Sequence, residues 1–193
     1  MKVVYINLNR REDRRQHMEQ QLPKYFHTFS RFQAIEQSPG IVGCGKSHLE
    51  VLRQAYQENT DVLIFEDDFE FLVSPDDFNK LLKSVEGLNY DVIMLSYNLF
   101  QSGRSEYKTL GKVIEAQTAS GYIVAKEYLQ ILIKLYEWAI PMLEKTGEHW
   151  TYANDQIWKL LQKRDRWYYF LTRVGKQMDG YSDNSLQYEN YGC

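Results

Sequence analysis

"DVLIFEDD", Asp61 to Asp68, decides how the rest of the chain is read. Four apolar residues, Val62 to Phe65, are β-branched, branched or aromatic and run without interruption into Glu66, Asp67 and Asp68. Such a run reads as an apolar strand that ends in acids. Adjacent carboxylates repel unless a cation or hydrogen-bond donors neutralise them. A divalent ion is the usual remedy, and hard oxygen ligands of this kind suit magnesium or manganese. Read in isolation, the same acids can be a solvated turn before the next helix; their place at the end of a central strand favours the ion.

Working outward, "KVVYINL" (2–8) is a second apolar run, bounded by "NRRED", and reads as a buried strand entering a helix over Asp13 to Gln21 that stops before Pro23. "YFHTFSRFQAIE" (25–36) alternates as a strand does, "QSPG" (37–40) is a turn signature, and apolar spacing gives a helix over His48 to Gln57. Downstream, "SPDDFNKLLKSV" (74–85) has a Ser cap and an early Pro, as a helix start should. "YDVIMLS" (90–96) is a strand, and "KVIEAQTASGYIVA" (112–125) is one or two strands bent at Gly121. "KEYLQILIKLYEWAI" (126–140) is an amphipathic helix ended by Pro141, followed by a short helix in "NDQIWKLLQKR" (154–164) and a last strand in "WYYFLT" (167–172). Alternating strands and helices argue for an α/β fold, a mostly parallel central sheet flanked by helices, in one domain over residues 1–193 with an irregular polar tail at 173–193. Ligands in such folds bind at the carboxyl ends of the strands. That rule selects Asn7 to Arg14, Glu66 to Asp68 and Ser96 to Asn98.

Composition narrows the field further. A net charge of -3 gives no general attraction to nucleic acid. Two cysteines, Cys44 and Cys193, make neither a disulfide framework nor a zinc-ligand spacing, and a reducing, cytoplasmic setting is expected. The first apolar run is too short for a signal or a membrane span, so no transmembrane segment is expected, with peripheral membrane contact left open. Fifteen Tyr, nine Phe and four Trp exceed what packing requires, and Tyr97, Tyr122, Trp150 and Tyr152 are placed to stack on a base or sugar or simply to pack.

Two segments bear on a nucleotide. "GIVGCGKS" (40–47) matches the phosphate-loop pattern G-x-x-x-x-G-K-[ST], which would make Lys46 the phosphate ligand of an NTPase or kinase. That mechanism needs a strand running straight into the glycines, and "AIEQSPG" stands there instead. "NRREDRR" after the first strand supplies Arg10, Arg11, Arg14 and Arg15, whose forks suit diphosphate or form local pairs. His48 and His149 lack a partner at metal-ligand spacing and read as hydrogen-bonded structural histidines.

Taken in order, "VVYINLNRREDRR", "GCGKSH", "LIFEDD", "TASGYIVAKE" and "DGYSDNS" resemble glycosyltransferase family twenty-five, the group that includes lipooligosaccharide and procollagen galactosyltransferases. The resemblance covers roughly residues 2–185. It implies a GT-A fold, a UDP-sugar donor (galactose or glucose), a glycan or glycoprotein acceptor, Mn2+ or Mg2+, and inversion at the anomeric carbon. By the family pattern Asp68 and Glu66 are the metal candidates, and Asp67 joins them as the D-x-D counterpart. Asn7, Arg10, Arg11, Asp13 and Arg14 are candidate donor contacts. Gly43, Cys44, Ser47 and His48 match the family's G-C-x-x-S-H signature, with Ser47 and His48 assigned to the donor site. Asp155 is the first candidate for the base that deprotonates the acceptor, and Asp183 the second. A P-loop enzyme using Lys46, or a non-catalytic nucleotide-sugar-binding module, are the competing readings.

Overall fold

The computed structural model describes residues 1–182 and 187–189. The elements in chain order are β1 (Lys2–Asn7), α1 (Glu12–Tyr25), β2 (Ser30–Gln33), α2 (Gly40–Gln57), β3 (Val62–Glu66), β4 (Phe69–Phe71), α3 (Pro75–Val85), β5 (Val92–Met94), β6 (Asn98–Gly103), β7 (Leu110–Gln117) and β8 (Gly121–Val124). A single 3-10 turn then leads into α4 (Leu129–Thr146), α5 (His149–Tyr152), α6 (Asn154–Ile157), α7 (Lys159–Gln162), β9 (Trp167–Phe170), β10 (Gly175–Gln177), β11 (Gly180–Ser182) and β12 (Gln187–Glu189).

Eight strands form one sheet in the order β2-β1-β3-β8-β5-β9-β7-β6. From the pairings, β8 and β7 run against the other six, so the sheet is mostly parallel in direction, as expected. The period-2 alternation of the strands divides the core. Val4, Ile6, Ile64, Val92, Met94, Tyr122 and Val124 face one layer with Leu52 of α2 and Tyr136 of α4. Val3, Tyr5, Leu63, Phe65, Ile93 and Ile123 face the other, with Met18 and Leu22 of α1 and Phe78 of α3. Uninterrupted apolar runs are what strands covered on both faces require.

Several boundaries differ from the sequence reading. Helix α1 runs through Pro23 and α4 through Pro141. Each proline is exposed, as are Glu19 and Glu137, the residues four positions earlier whose carbonyls lose a partner, so each gap in the bonding lies on the solvent side of its helix. Helix α4 stops instead at Gly147, whose left-handed φ of 69° forms the cap. The second strand is confined to Ser30–Gln33 because Tyr25 is still helical. The 112–125 segment bends at Thr118, with φ 87°, rather than at Gly121. Within the expected irregular tail, the described residues include short strands: β10 pairs antiparallel with β4, and β11 with β12.

The phosphate-loop pattern is entirely helical, since α2 begins at Gly40. Its glycines serve packing. A Cβ on Gly43 would collide with the backbone carbonyl of Ile35, and one on Gly45 would press Ile140 and Asn154 at 3.3 and 3.1 Å. Exposed helical Gly→Ala changes ordinarily stabilise by about 1 kcal/mol. Gly43→Ala is expected to do the reverse, destabilising by about 1–3 kcal/mol through overpacking against backbone. A lower urea midpoint would bear this out; an unchanged or raised midpoint would refute the packing role.

Candidate functional site

Strands β1, β2 and β3 are mutually parallel, so Asn7, the residues after Gln33 and the Glu66–Asp68 acids emerge at one edge of the sheet. The start of α1 and the first half of α2 flank that edge. Together they enclose a cleft whose polar lining includes Arg10, Arg14, Cys44, His48, Gln177 and all three acids.

One arginine holds two of the acids. Arg14 donates from Nη1 to Asp67 Oδ1 and Asp68 Oδ2, at 2.9 Å each. Asn7 Nδ2 donates to the other oxygen of Asp67 at 2.8 Å, and Arg31 Nε fixes that amide by donating to Asn7 Oδ1 at 2.9 Å. Gln177, from β10, donates to Asp68 Oδ2 at 3.2 Å. Asp68 Oδ1 is buried and has no hydrogen-bond partner among the described residues. Burial, then the Glu66 charge, push the Asp68 carboxyl up to about 7, against the opposing effect of Arg14. Burial also raises Asp67, opposed by Arg14 and Asn7.

Glu66 turns away from this pair toward α2. His48 Nε2 lies 3.0 Å and Cys44 Sγ 3.6 Å from Glu66 Oε1. An ionised carboxylate only accepts, which puts the imidazole proton on Nε2 and leaves Nδ1 to accept from the Tyr122 hydroxyl at 2.7 Å. Asn154 Nδ2 donates to the Cys44 sulfur at 3.2 Å. Burial alone would raise the Glu66 carboxyl; the bonds from His48 and Cys44 and the Arg14 charge outweigh it and leave it below its ordinary value.

Asp155 lies at the same end of the molecule, on α6 beside Asn154. Its Oδ2 accepts from the Thr118 backbone at 3.0 Å and its Oδ1 from Gln156 at 3.3 Å. Burial raises its pKa, and the nearby Glu66 charge adds to the rise. Asp183 lies outside the described residues.

The remaining candidates separate by location. Arg10 lines the cleft and pairs with Glu36 at 2.6 Å. Arg11 and Asp13 pair with each other at 2.9 Å, and Arg11 holds Asp13 down at about 2. Ser47 Oγ donates to Gly43 O and accepts from the Ile35 N–H, so it fastens the approach to α2. Lys46 points the other way, bonding Gln37 and Glu144 at 2.8 and 2.6 Å. Ser96 bonds Ser120 in the core at 2.6 Å. Tyr97 and Tyr122 are buried; Trp150 is exposed, and Tyr152 packs edge-on against Trp138. Gln177, Arg31 and Asn154 are site residues that sequence reading did not single out. Asn154 adjoins a residue that was, whereas Gln177 sits in a stretch with no local signal.

No family model and no curated protein matches the sequence. Solved structures do. The chain is similar to a glycosyltransferase involved in the glycosylation of the major capsid of PBCV-1, at 11% identity over 95% of each chain with TM-score 0.59. It is also similar to A197 from STIV, at 11% identity over 97% of this chain and 93% of that one with TM-score 0.51. The glycosyltransferase GlyE of Streptococcus pneumoniae TIGR4 aligns at 12% identity and TM-score 0.50, over 88% of this chain and 45% of that one. The fold is GT-A-like. Among the described residues, no helix is long and apolar enough to cross a membrane.

The acids fit a divalent ion on their own evidence. Two carboxylates share one guanidinium with Glu66 in the same cleft, and the orphaned Asp68 Oδ1 is an oxygen donor of the hard type. The titration of Asp68 has a definite sign. Its folded pKa exceeds the unfolded value, so its contribution to stability is complete below about pH 4 and is lost as pH rises through about 7. In EDTA, Asp68→Asn should therefore melt higher than wild type at pH values above 7, with the gap closing toward pH 4. Equal melting temperatures across the range would contradict this reading of the site.

Proposed function

We propose that the protein is a metal-dependent, inverting glycosyltransferase that moves a hexose, galactose or glucose, from a UDP-sugar to a hydroxyl on a glycan or protein. The reading extends the resemblance to glycosyltransferase family twenty-five and places the enzyme in the cytoplasm. The observation that carries it is the unpartnered, buried Asp68 Oδ1 at the carboxyl edge of the parallel strands, in a cleft that also holds Arg10.

Asp68 would hold the ion, with Glu66 near it, and Mn2+ or Mg2+ bound there would stabilise negative charge on the departing diphosphate. Arg14 and Asn7 orient the acids. Arg10 faces the cleft where a diphosphate would lie. Arg11 and Asp13, paired outside the cleft lining, shape the start of α1. Asp155 is the first choice for the base: its raised pKa suits proton abstraction from an acceptor hydroxyl, a contribution of about 100-fold or more. Asp183 is the second. The capsid-glycosylating neighbour shares this fold, which supports sugar transfer as the chemistry.

The helical state of residues 40–47 argues against the phosphate-loop alternative, and the non-catalytic module is separated from an enzyme by turnover alone. Calorimetric titration with UDP, UDP-galactose, UDP-glucose and ATP, with and without manganese, together with assays of UDP release, should show manganese-dependent binding and turnover of a UDP-sugar. Asp68→Asn should abolish that turnover, while Lys46→Ala should leave nucleotide affinity within about twofold, as expected for a rim ion pair. A preference for ATP, or equal UDP release by wild type and Asp68→Asn, would overturn the proposal.

A further inference from the structure

Beside the hard oxygen donors of Asp67 and Asp68, the same cleft contains a second constellation of different chemistry. Cys44 and His48 lie one helical turn apart on α2, and Glu66 ends β3 opposite them. Their ligating atoms, Sγ, Nε2 and a carboxylate oxygen, all lie within 4.8 Å of one another. We propose that Cys44, His48 and Glu66 form a binding site for a zinc-class ion, distinct in ligand type from the oxygen site at Asp68.

Four features support this beyond proximity. An ion bonded at about 2.0–2.3 Å in tetrahedral geometry separates its ligand atoms by roughly 3.3–3.8 Å. The observed separations from Glu66 Oε1, 3.0 Å to His48 and 3.6 Å to Cys44, lie close to that range, and the sulfur is within 4.8 Å of the imidazole nitrogen. The far nitrogen of His48 is already held by the buried Tyr122 hydroxyl at 2.7 Å, the outer partner that a ligating imidazole requires. Asn154 points an N–H at the sulfur at 3.2 Å, a bond that strengthens once the sulfur is a thiolate. All three ligands line the cleft, the side from which a fourth ligand would reach the ion, as in three-ligand zinc sites.

Thiolate and imidazole select zinc over magnesium or manganese. Proton balance is simple. On binding, the Cys44 thiol releases its proton to solvent, and the imidazole proton moves from Nε2 to Nδ1, where Tyr122 changes from donor to acceptor. The ion brings positive charge to a pocket whose lining holds the Glu66, Asp67 and Asp68 carboxylates.

Cobalt(II) titration of the full chain, cleared of metal with EDTA, tests the proposal without any sugar nucleotide, so its failure is distinguishable from failure of the transferase reading. Wild type should develop a near-ultraviolet sulfur-to-cobalt charge-transfer band and the visible bands of a low-coordinate ion, saturating at one equivalent and bleached by zinc. Cys193→Ser and Asp68→Asn should keep the band. Cys44→Ser should lose it, and His48→Gln should lose the visible bands. Tyr122→Phe should bind about 10–100-fold more weakly, as loss of an outer-shell partner does. Absence of the band in wild type, its survival in Cys44→Ser, or its loss in Cys193→Ser would overturn the proposal. The wild-type and Cys193→Ser spectra decide the matter even where a core variant fails to fold.

Discussion

Arg14 between Asp67 and Asp68 is the contact on which the site rests. Both aspartates are buried, and a buried ionised carboxylate without a partner costs several kcal/mol. The guanidinium comes from α1 and the acids from the end of β3, so meeting their charge fixes the helix start against the strand end. Asn7 completes the tie from β1, because its amide donates to Asp67 and to the Arg11 carbonyl. Three elements are thus locked at the edge of the sheet where parallel strands release their carboxyl ends. One charge remains unmet, and the orphaned oxygen of Asp68 marks where it lies.

Much of this was legible because the physics involved is local. Val62 to Phe65 and Val3 to Ile6 read as strands since burial on both faces leaves no room for polar residues. The Ser74 cap on α3 is present as a side-chain bond to the Asp77 N–H. The acids at the end of β3 were visible for the same reason: repulsion between neighbours in sequence needs no knowledge of the fold. What failed was where tertiary context decides. Pro23 and Pro141 look like stops until one knows that each faces water. Glu66 and Asp68 line the same cleft, but β3 ends at Glu66, so Glu66 bonds His48 of α2 while the turn carries Asp67 and Asp68 to Arg14 of α1. Gln177 reaches Asp68 only because β10 pairs with β4 across more than a hundred residues of chain. No window of sequence contains that pairing.

The GCGKSH stretch shows how one set of residues supports different mechanisms until the backbone is known. In a phosphate loop its glycines would free N–H groups for an anion. In a helix the N–H groups beyond the first turn are bonded to carbonyls, and Gly43 and Gly45 instead permit close approach, Gly43 to the Ile35 carbonyl and Gly45 to Ile140. Helical spacing then determines which side chains share a face. Cys44 and His48, four apart, look into the cleft; Lys46, between them, looks out to Glu144. The residue that the phosphate-loop pattern makes central is the one that the helix turns away.

The charge arrangement also constrains how an anionic ligand can enter. Glu66, Asp67 and Asp68 outnumber Arg14, and Arg10, at the rim, is already paired with Glu36. A diphosphate arriving alone would meet net negative charge in a partly desolvated cleft, where like charges interact more strongly than in water. If the cleft takes a nucleotide as proposed, its affinity would therefore depend on a cation. The dependence differs from that of a phosphate loop, whose helix N-terminus and lysine already attract the anion. Under the proposed function the protein would supply acids and the cation the attraction, so metal and nucleotide would bind as a coupled pair.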